Sequence, residues 1–304
     1  ELLARMQEEQ VDLVCMEVSS HALQQQRLAG LEFDLAVFSN LSQDHLDYHQ
    51  TMEAYFAAKA QLFSATHLEK HGARIINRDD AYGQRLQAAF PESWGYSLHP
   101  QEKGDPLLLT AEVTQMDRKG ICLHCRWREQ TWQVCSRLVG RHNGANLMAA
   151  QATLLALGVS PQHLSGVAEA PPVPGRLERI PNAQGLDIFV DYAHTPDALE
   201  NVLAALRQLG GRRLIAVFGC GGDRDRSKRV LMGEAVARYA DVAVLTSDNP
   251  RHEQPEAIMA EVSPGLGKCP RVVQEPDRKT AIGFALDAMR PGDIVVVTGK
   301  GHET

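Results

Sequence analysis

Apolar residues fall into short runs separated by amphipathic stretches along this chain. Val11 to Val18 (VDLVCMEV) predicts a strand, and Ser20 to Leu28 a helix after it. Phe33 to Phe38 predicts a second strand, ending in the polar pair Ser39-Asn40. Met52 to Phe63 has apolar residues at helical spacing. Ala73 to Ile76 predicts a third strand, and Asp79-Asp80 a cap for a helix running to Phe90. Short apolar strands alternating with helices imply a parallel sheet covered on both faces. The texture then changes. Alternation at Leu109, Ala111 and Val113, at Ile121, Leu123 and Cys125, and at Trp132 and Val134 predicts antiparallel strands, with a hairpin turn at Asp117 to Gly120. Gly140 to Leu157 reads as a helix rich in Ala and Leu, ended by Gly158.

The segment Ala170-Pro-Pro-Val-Pro-Gly175 is dense in proline and predicts a linker. A second α/β pattern follows. Its strands are Leu186 to Val190, Arg213 to Phe218, Val242 to Thr246, Arg271 to Val273 and Ile294 to Val297. Its helices are Pro196 to Leu209, Lys228 to Tyr239, Pro255 to Glu261 and Arg278 to Met289. The fold class is therefore α/β. A parallel-sheet domain with an antiparallel strand segment (residues 1–172) precedes a Rossmann-like, doubly wound domain (residues 173–304). The chain opens at Glu1, inside an amphipathic helix (Leu2, Leu3, Met6), and stops at Thr304 after a Gly-rich loop. Both ends look cut, and the sequence reads as a fragment.

Composition narrows the class. With 304 residues, 44% hydrophobic and 23% charged, the chain has the make-up of a soluble globular protein of about two domains. Its formal net charge of -7 argues against a nucleic-acid or anionic-membrane partner. No apolar run approaches the roughly 18 residues of a membrane span, and no signal peptide is visible. Cys15, Cys122, Cys125, Cys135, Cys220 and Cys269 mostly lie in apolar runs, which suggests buried thiols in a reducing cytosol. Cys122-Leu-His-Cys125 lies in a strand without the turn a zinc knuckle needs.

Polar motifs fall just after the strands, where open α/β sheets bind ligands. Glu17-Val-Ser19-Ser20-His21 puts a carboxylate there, or else caps a helix. Asn40-Leu-Ser-Gln-Asp44-His45-Leu-Asp47-Tyr48-His49 packs carboxylates and imidazoles together. It suits magnesium beside an anionic substrate or remains a solvated loop, and His45 and His49, four apart, could also suit zinc. Lys59, on an amphipathic helix, reads as a solvated face. Asn143 and Asn146 open a helix and either read a ligand or cap it. Asp191 ends a strand before a Pro-initiated helix. Gly219-Cys-Gly221-Gly222-Asp223-Arg224 is a Gly-rich loop without the ending of a P-loop or dinucleotide spacing. Ser247-Asp248-Asn249-Pro250-Arg251 and Gly299-Lys300-Gly301-His302-Glu303 follow two further strands. Two guanidiniums, Arg224 and Arg251, and one carboxylate, Glu303, at one sheet edge suit a zwitterionic amino acid.

In this order and over nearly the whole chain, from Glu17 to Glu303, these motifs resemble the Mur ligases. The resemblance implies a central ATPase domain followed by a ligase domain, and a cytoplasmic, monomeric enzyme of cell-wall synthesis. It implies ATP-dependent amide formation through an acyl phosphate, with magnesium. The substrates would be UDP-N-acetylmuramoyl-L-alanyl-D-glutamate and meso-diaminopimelate. Glu17 and His45 match magnesium ligands, and Lys59 a lysine carried as a carbamate. Together they would be the catalytic set. Ser19, Gln25 and Arg27 match positions that hold the UDP-linked dipeptide. Asn143, Asn146, Arg176 and Asp191 match nucleotide contacts. Arg224, Asp248, Asn249, Pro250, Arg251, Gly299 and Glu303 match the amino-acid pocket, in which the run Asp-Asn-Pro-Arg marks diaminopimelate users. The family's P-loop and its amino-terminal domain would lie upstream of Glu1, so the fragment alone is expected to be inactive. The rivals are a folylpolyglutamate synthetase, a lysine-adding Mur ligase, a metal-dependent hydrolase built on Asp44, His45, Asp47 and His49, and a non-enzymatic binding module.

Overall fold

The computed structural model describes residues 2–42, 45–100 and 104–301. The chain divides into two compact units, Glu1–Gly95 and Tyr96–Thr304.

The first unit begins with helices α1 (Leu2–Glu8) and α2 (Ser20–Gln24). Strand β1 (Phe33–Phe38) follows, then α3 (Leu46–His49), α4 (Met52–Ala60) and a short 3-10 turn at Gln61–Phe63. Strand β2 (Leu68–Asn77) and helix α5 (Ala81–Ala89) complete it. The strands β1 and β2 pair in parallel, from Leu35 opposite Ala73 to Phe38 opposite Ile76. The starts of α2, α4 and α5 each have a polar cap that satisfies free backbone N–H groups. Thr51 Oγ1 accepts from Ala54, and Asp80 from both Tyr82 and Gly83. Gly83 is required by space, because a Cβ there would stand 2.0 Å from the Asn77 carbonyl oxygen. Phe38, Tyr55, Phe63, Leu68, Ile76 and Leu86 form the core of this unit. Each such burial contributes roughly 1.5–3 kcal/mol.

Two expectations fail here. Residues 11–18 form no strand among the described residues, and Val11, Leu13, Val14 and Met16 are 44%, 72%, 43% and 42% exposed. An apolar run becomes a strand only when a neighbour takes its N–H and C=O groups. No described strand pairs with it. The helix read from Ser20 to Leu28 is also shorter and closes at Gln24. Gln26 adopts a positive φ of 54°, which a helix cannot continue through.

Strand β3 (Trp94–Ser97) spans the boundary of the units. In the second unit β4 (Leu108–Asp117), β5 (Gly120–Trp127) and β6 (Gln130–Ser136) form the expected antiparallel meander. Asp117 pairs with Gly120 across its first turn. Helix α6 (Arg141–Ala156) follows. The thiol expectation is corrected at one pair: Cys122 and Cys135, directly opposite on β5 and β6, form a disulfide. Alternation explains this, since it turns Cys125 into the core and leaves Cys122 on the other face with its cross-strand partner. Cys125 and Cys220 are buried free thiols, whereas Cys15 is exposed.

The remainder is a six-stranded sheet, in spatial order β11-β10-β9-β12-β8-β7. These strands are β7 (Glu178–Arg179), β8 (Asp187–Asp191), β9 (Leu214–Phe218), β10 (Val242–Leu245), β11 (Arg271–Gln274) and β12 (Ile294–Thr298). All neighbours are parallel except the two-residue β7, too short to leave a sequence pattern, which pairs antiparallel with β8. The helices are α7 (Pro196–Gln208), α8 (Ser227–Tyr239), α9 (Pro255–Val262) and α10 (Arg278–Asp287). Every residue of β9 and of β12 is buried, as continuous apolar strands between two helical layers must be. Leu199, Leu203 and Leu206 of α7, Val236 of α8 and Val262 of α9 pack on one face. Ala281 and Ala285 of α10 pack on the other. The strand order reverses between β9 and β12, which places the ligand crevice at the carboxyl ends of these strands.

Candidate functional site

In the first unit, the motif after β1 and the helices around it build a cluster of rings. His21 of α2 lies 5.0 Å from His45, 4.1 Å from Tyr48 and 5.4 Å from His49, between ring centroids. Tyr55 of α4 stacks on His49 at 5.0 Å and meets His45 edge-on at 5.8 Å. Lys59, one turn along α4, has its Nζ 5.4 Å from the centre of the Tyr55 ring. The structure thus brings His45 and Lys59 to the same aromatic side chain. Glu17 is exposed, four residues before His21 in the chain. His45 is also exposed and holds a left-handed backbone (φ 54°) at the start of α3.

His49 and His45 do not present as a metal-binding pair. His49 is buried, and its Nε2 shares a 2.8 Å hydrogen bond with the Ser20 hydroxyl. Among the described residues no group of three or more His, Cys, Asp or Glu could hold a metal ion. Asp44 and the Asp47 side chain lie outside the described residues. Ser19 Oγ accepts from the Ala22 amide and so caps α2. Gln25, at the other end of α2, donates to the Tyr48 hydroxyl at 3.5 Å. Arg27 is exposed in the turn that follows.

In the second unit the start of α6 carries both asparagines. Asn143 Nδ2 donates to the Val139 carbonyl at 2.8 Å, and its Oδ1 accepts from Asn146 Nδ2 at 3.3 Å. Asn143 therefore ties down the helix start, while Asn146 is exposed. Asp191, at the end of β8, is buried, and its two oxygens accept from the Leu177 and Ala193 amides, each at 2.7 Å. Burial raises its carboxyl above the usual range, opposed by those two donors and by the nearby Arg176 and His142 charges. The Arg176 guanidinium lies over the Tyr192 ring, 5.2 Å from its centre.

Three loops meet at the carboxyl ends of β9, β10 and β12. The Gly-rich loop after β9 lies against the loop after β10. A Cβ on Gly219 would stand 2.4 Å from the Thr246 carbonyl oxygen, and one on Gly222 would stand 1.9 Å from that of Pro250. Glycine is needed there for backbone approach. Gly222 N donates to the Asn249 carbonyl at 2.9 Å, and Arg251 Nη1 donates to the Gly222 carbonyl at 2.8 Å. Arg224 and Arg251 both flank Gly221, at 3.8 and 2.9 Å from where its Cβ would be. Asp248 adjoins Gly299, whose φ of +99° suits glycine. The Asp248 Oδ1 is buried without a hydrogen-bond partner among the described residues. Glu303 lies outside the described residues. The rim therefore gathers the Arg251 guanidinium, the stem of Arg224 and the Asp248 carboxylate, whose buried Oδ1 has no hydrogen-bond partner among the described residues.

Several residues of this rim were not singled out from sequence. Lys300 Nζ donates to Asn249 Oδ1 at 3.0 Å. Arg278, at the start of α10, donates to the Thr298 and Ser247 carbonyls and so joins the ends of β12 and β10. Buried Arg229 and its partner Glu253 fasten the first two loops. Lys300 stood inside a quoted motif. A lone arginine on an amphipathic helix carries no signal of burial.

Comparison with known proteins places both parts of the chain in one family. Residues 1–154 match the Mur ligase middle domain, and residues 175–301 the Mur ligase, glutamate ligase domain. The chain is 49% identical over 302 residues to UDP-N-acetylmuramoyl-L-alanyl-D-glutamate--2,6-diaminopimelate ligase of Lawsonia intracellularis, covering 99% of this chain and 62% of that protein. It is 45% identical to the enzyme of the same name from Syntrophomonas wolfei, covering 99% and 61%. A solved structure of a ligase of that name superposes with a TM-score of 0.65 at 39% identity, over 94% of this chain and 59% of the other. The chain thus spans about three-fifths of the length of these relatives. With a domain model matched on each side of the proline-rich linker, the chain belongs to the Mur ligase family.

Proposed function

We propose that the full-length protein is an ATP-dependent ligase of peptidoglycan synthesis. It joins meso-2,6-diaminopimelate to UDP-N-acetylmuramoyl-L-alanyl-D-glutamate through an acyl phosphate. The observation that carries this reading is that the loops bearing Arg224, Arg251 and Asp248 lie together at one sheet edge, with the Arg224 stem and the Arg251 Nη1 both beside Gly221. Diaminopimelate carries a second amino-acid head group, and lysine lacks the second carboxylate that a bidentate guanidinium would grip. The names of the relatives support the same assignment. Asn249, Pro250, Gly299 and Glu303 complete the pocket in this proposal.

The first unit carries the phosphoryl-transfer half of the reaction. Magnesium is held by one or two carboxylates together with phosphate oxygens, which suits a carboxylate and a carbamate beside an ATP site. Glu17, His45 and a carbamate on Lys59 would hold it. The ion supplies neutralisation of developing phosphate charge. The Lys59 ammonium would lose one proton to become an amine and a second on adding carbon dioxide, leaving an anionic carbamate beside Tyr55, the ring that His45 also meets. Ser19, Gln25 and Arg27 would hold the UDP-linked dipeptide. Asn143, Asn146, Arg176 and Asp191 would contact the nucleotide. Amide formation then follows from attack of the diaminopimelate amine on the acyl phosphate, with departure of phosphate.

The domain boundary proposed for the ligase is 172/173, in the stretch between the two family matches. No helix among the described residues is long and apolar enough to cross a membrane. A cytoplasmic monomer with no nucleic-acid partner is proposed. The test is phosphate release by the full-length protein with magnesium. Release should require ATP, the UDP-linked dipeptide and diaminopimelate together. Release from ATP without the dipeptide would discard the ligase in favour of a hydrolase.

A further inference from the structure

The loops after β9 and β10 are fastened by an ion-pair network outside the motifs assigned to ligands. Arg229 of α8 is 2% exposed and makes a two-pronged contact with Glu253, Nη2 to Oε1 at 2.7 Å and Nη1 to Oε2 at 3.0 Å. The same Nη1 reaches Glu261 of α9 at 2.9 Å. Arg226 adds a contact to each carboxylate. Glu253 does one thing that Glu261 does not: its Oε1 accepts from the Asp223 backbone amide at 2.6 Å. Asp223 in turn accepts from the His252 ring at 2.7 Å.

Glu253 is thus placed between the two arginines of the pocket without touching either. Through the Asp223 amide it holds the residue before Arg224. Through the chain it stands two residues after Arg251, with its own amide donating to the Pro250 carbonyl at 3.0 Å. Asp223 and Arg251 are both non-glycine residues in the left-handed region, at φ 51° and 50°. Such conformations persist only where the surroundings over-determine them. The carboxylate of Glu253, locked by a buried guanidinium, holds Asp223 directly, while Arg251 is tied to the same loop by its own Nη1 on the Gly222 carbonyl.

We infer that Glu253 is a positioning residue for the amino-acid pocket: it sets the spacing of the Arg224 and Arg251 guanidiniums and thereby the preference for an amino acid with a second carboxylate. The inference rests on the reading of that pocket given above. Displacing a gripping group by an ångström costs up to about 100-fold. That loss would fall on the amino acid and spare the nucleotide.

The experiment compares the wild-type full-length enzyme with its Glu253→Gln and Glu261→Gln variants. It reads KM for meso-diaminopimelate, KM for ATP and the preference for diaminopimelate over L-lysine. Glu253→Gln should raise KM for diaminopimelate about 10- to 100-fold and narrow the preference by a similar factor, with KM for ATP nearly constant. Glu261→Gln removes the other carboxylate from Arg229 but leaves Asp223 held, so it should stay within about twofold. A Glu253→Gln enzyme with unchanged KM and merely fewer active molecules would overturn the inference. So would a Glu261→Gln enzyme that loses diaminopimelate binding equally. If Glu253→Gln does not fold, Glu253→Asp withdraws the carboxylate by one methylene and carries the same comparison. A wild-type enzyme indifferent between the two amino acids would sink the pocket reading itself, and this inference with it.

Discussion

The ring cluster of the first unit and the loop rim of the second are built by opposite means. In the first, His45 and Glu17 are exposed, and rings pack on rings beside the His49–Ser20 hydrogen bond, with Lys59 over Tyr55. In the second, glycines bring two loops into backbone contact, and a buried arginine pins them through Glu253. Under the proposed function, the first arrangement would be completed by oxygen ligands that come with the substrate. The second suits recognition, where two guanidiniums must stay at a fixed distance for one ligand shape. Electrostatic stabilisation of a transition state tolerates a sparse protein donor set, whereas discrimination between two amino acids does not.

The largest expected effect lies in the first region. Lys59→Ala in the full-length enzyme should lower kcat by about 1,000-fold, the scale of losing one electrostatic stabiliser of the transition state. KM for diaminopimelate should hold, because the amino acid is read elsewhere. A steady-state assay checks this, and a drop in diaminopimelate binding instead would blur the division between the regions. Next comes Arg251→Ala, which should cut kcat/KM for diaminopimelate about 100-fold while leaving ATP use in place. Competition between diaminopimelate and lysine reads it directly.

A smaller effect concerns pH. The Arg229 hydrogen bond holds Glu253 at about 2, below its ordinary 4.5. A carboxyl lowered in the folded state adds stability above its unfolded value and loses it as pH falls through its folded one. The contribution of Glu253 is thus full above pH 4.5 and fades toward pH 2. Urea titrations of wild type and Glu253→Gln should converge across that window. Parallel curves would contradict the pairing. The smallest effect is Leu13→Ser. That side chain is 72% exposed, so stability of this chain should change by less than about 0.5 kcal/mol. A larger loss would mean that residues 11–18 are packed after all.

Much of this was legible from residue order, because periodicity reports burial and burial follows the sheet. The central strands β9, β10 and β12 are continuous apolar runs, and the structure places each where the pattern predicts. The same reasoning failed at residues 11–18, where the apolar run is present but no described neighbour pairs with it. Pattern reports what a segment could bury, not whether a partner exists. Motifs after strands were legible too, and the structure lays the loops of Arg224 and Arg251 together beside Gly221. What holds them there was not legible. Arg229 looks like any helix-surface arginine in sequence, and its burial depends on carboxylates 24 and 32 residues away. The Cys122–Cys135 pairing also escaped, since it follows from strand register rather than spacing.

The central claim is that the rim of the second sheet reads the second carboxylate of the incoming amino acid. Its most direct test is the ratio of kcat/KM for meso-diaminopimelate over L-lysine in the wild-type full-length enzyme. A guanidinium gripping the extra carboxylate predicts a preference of about 100-fold or more for diaminopimelate. Equal use of the two, or a preference for lysine, would contradict it.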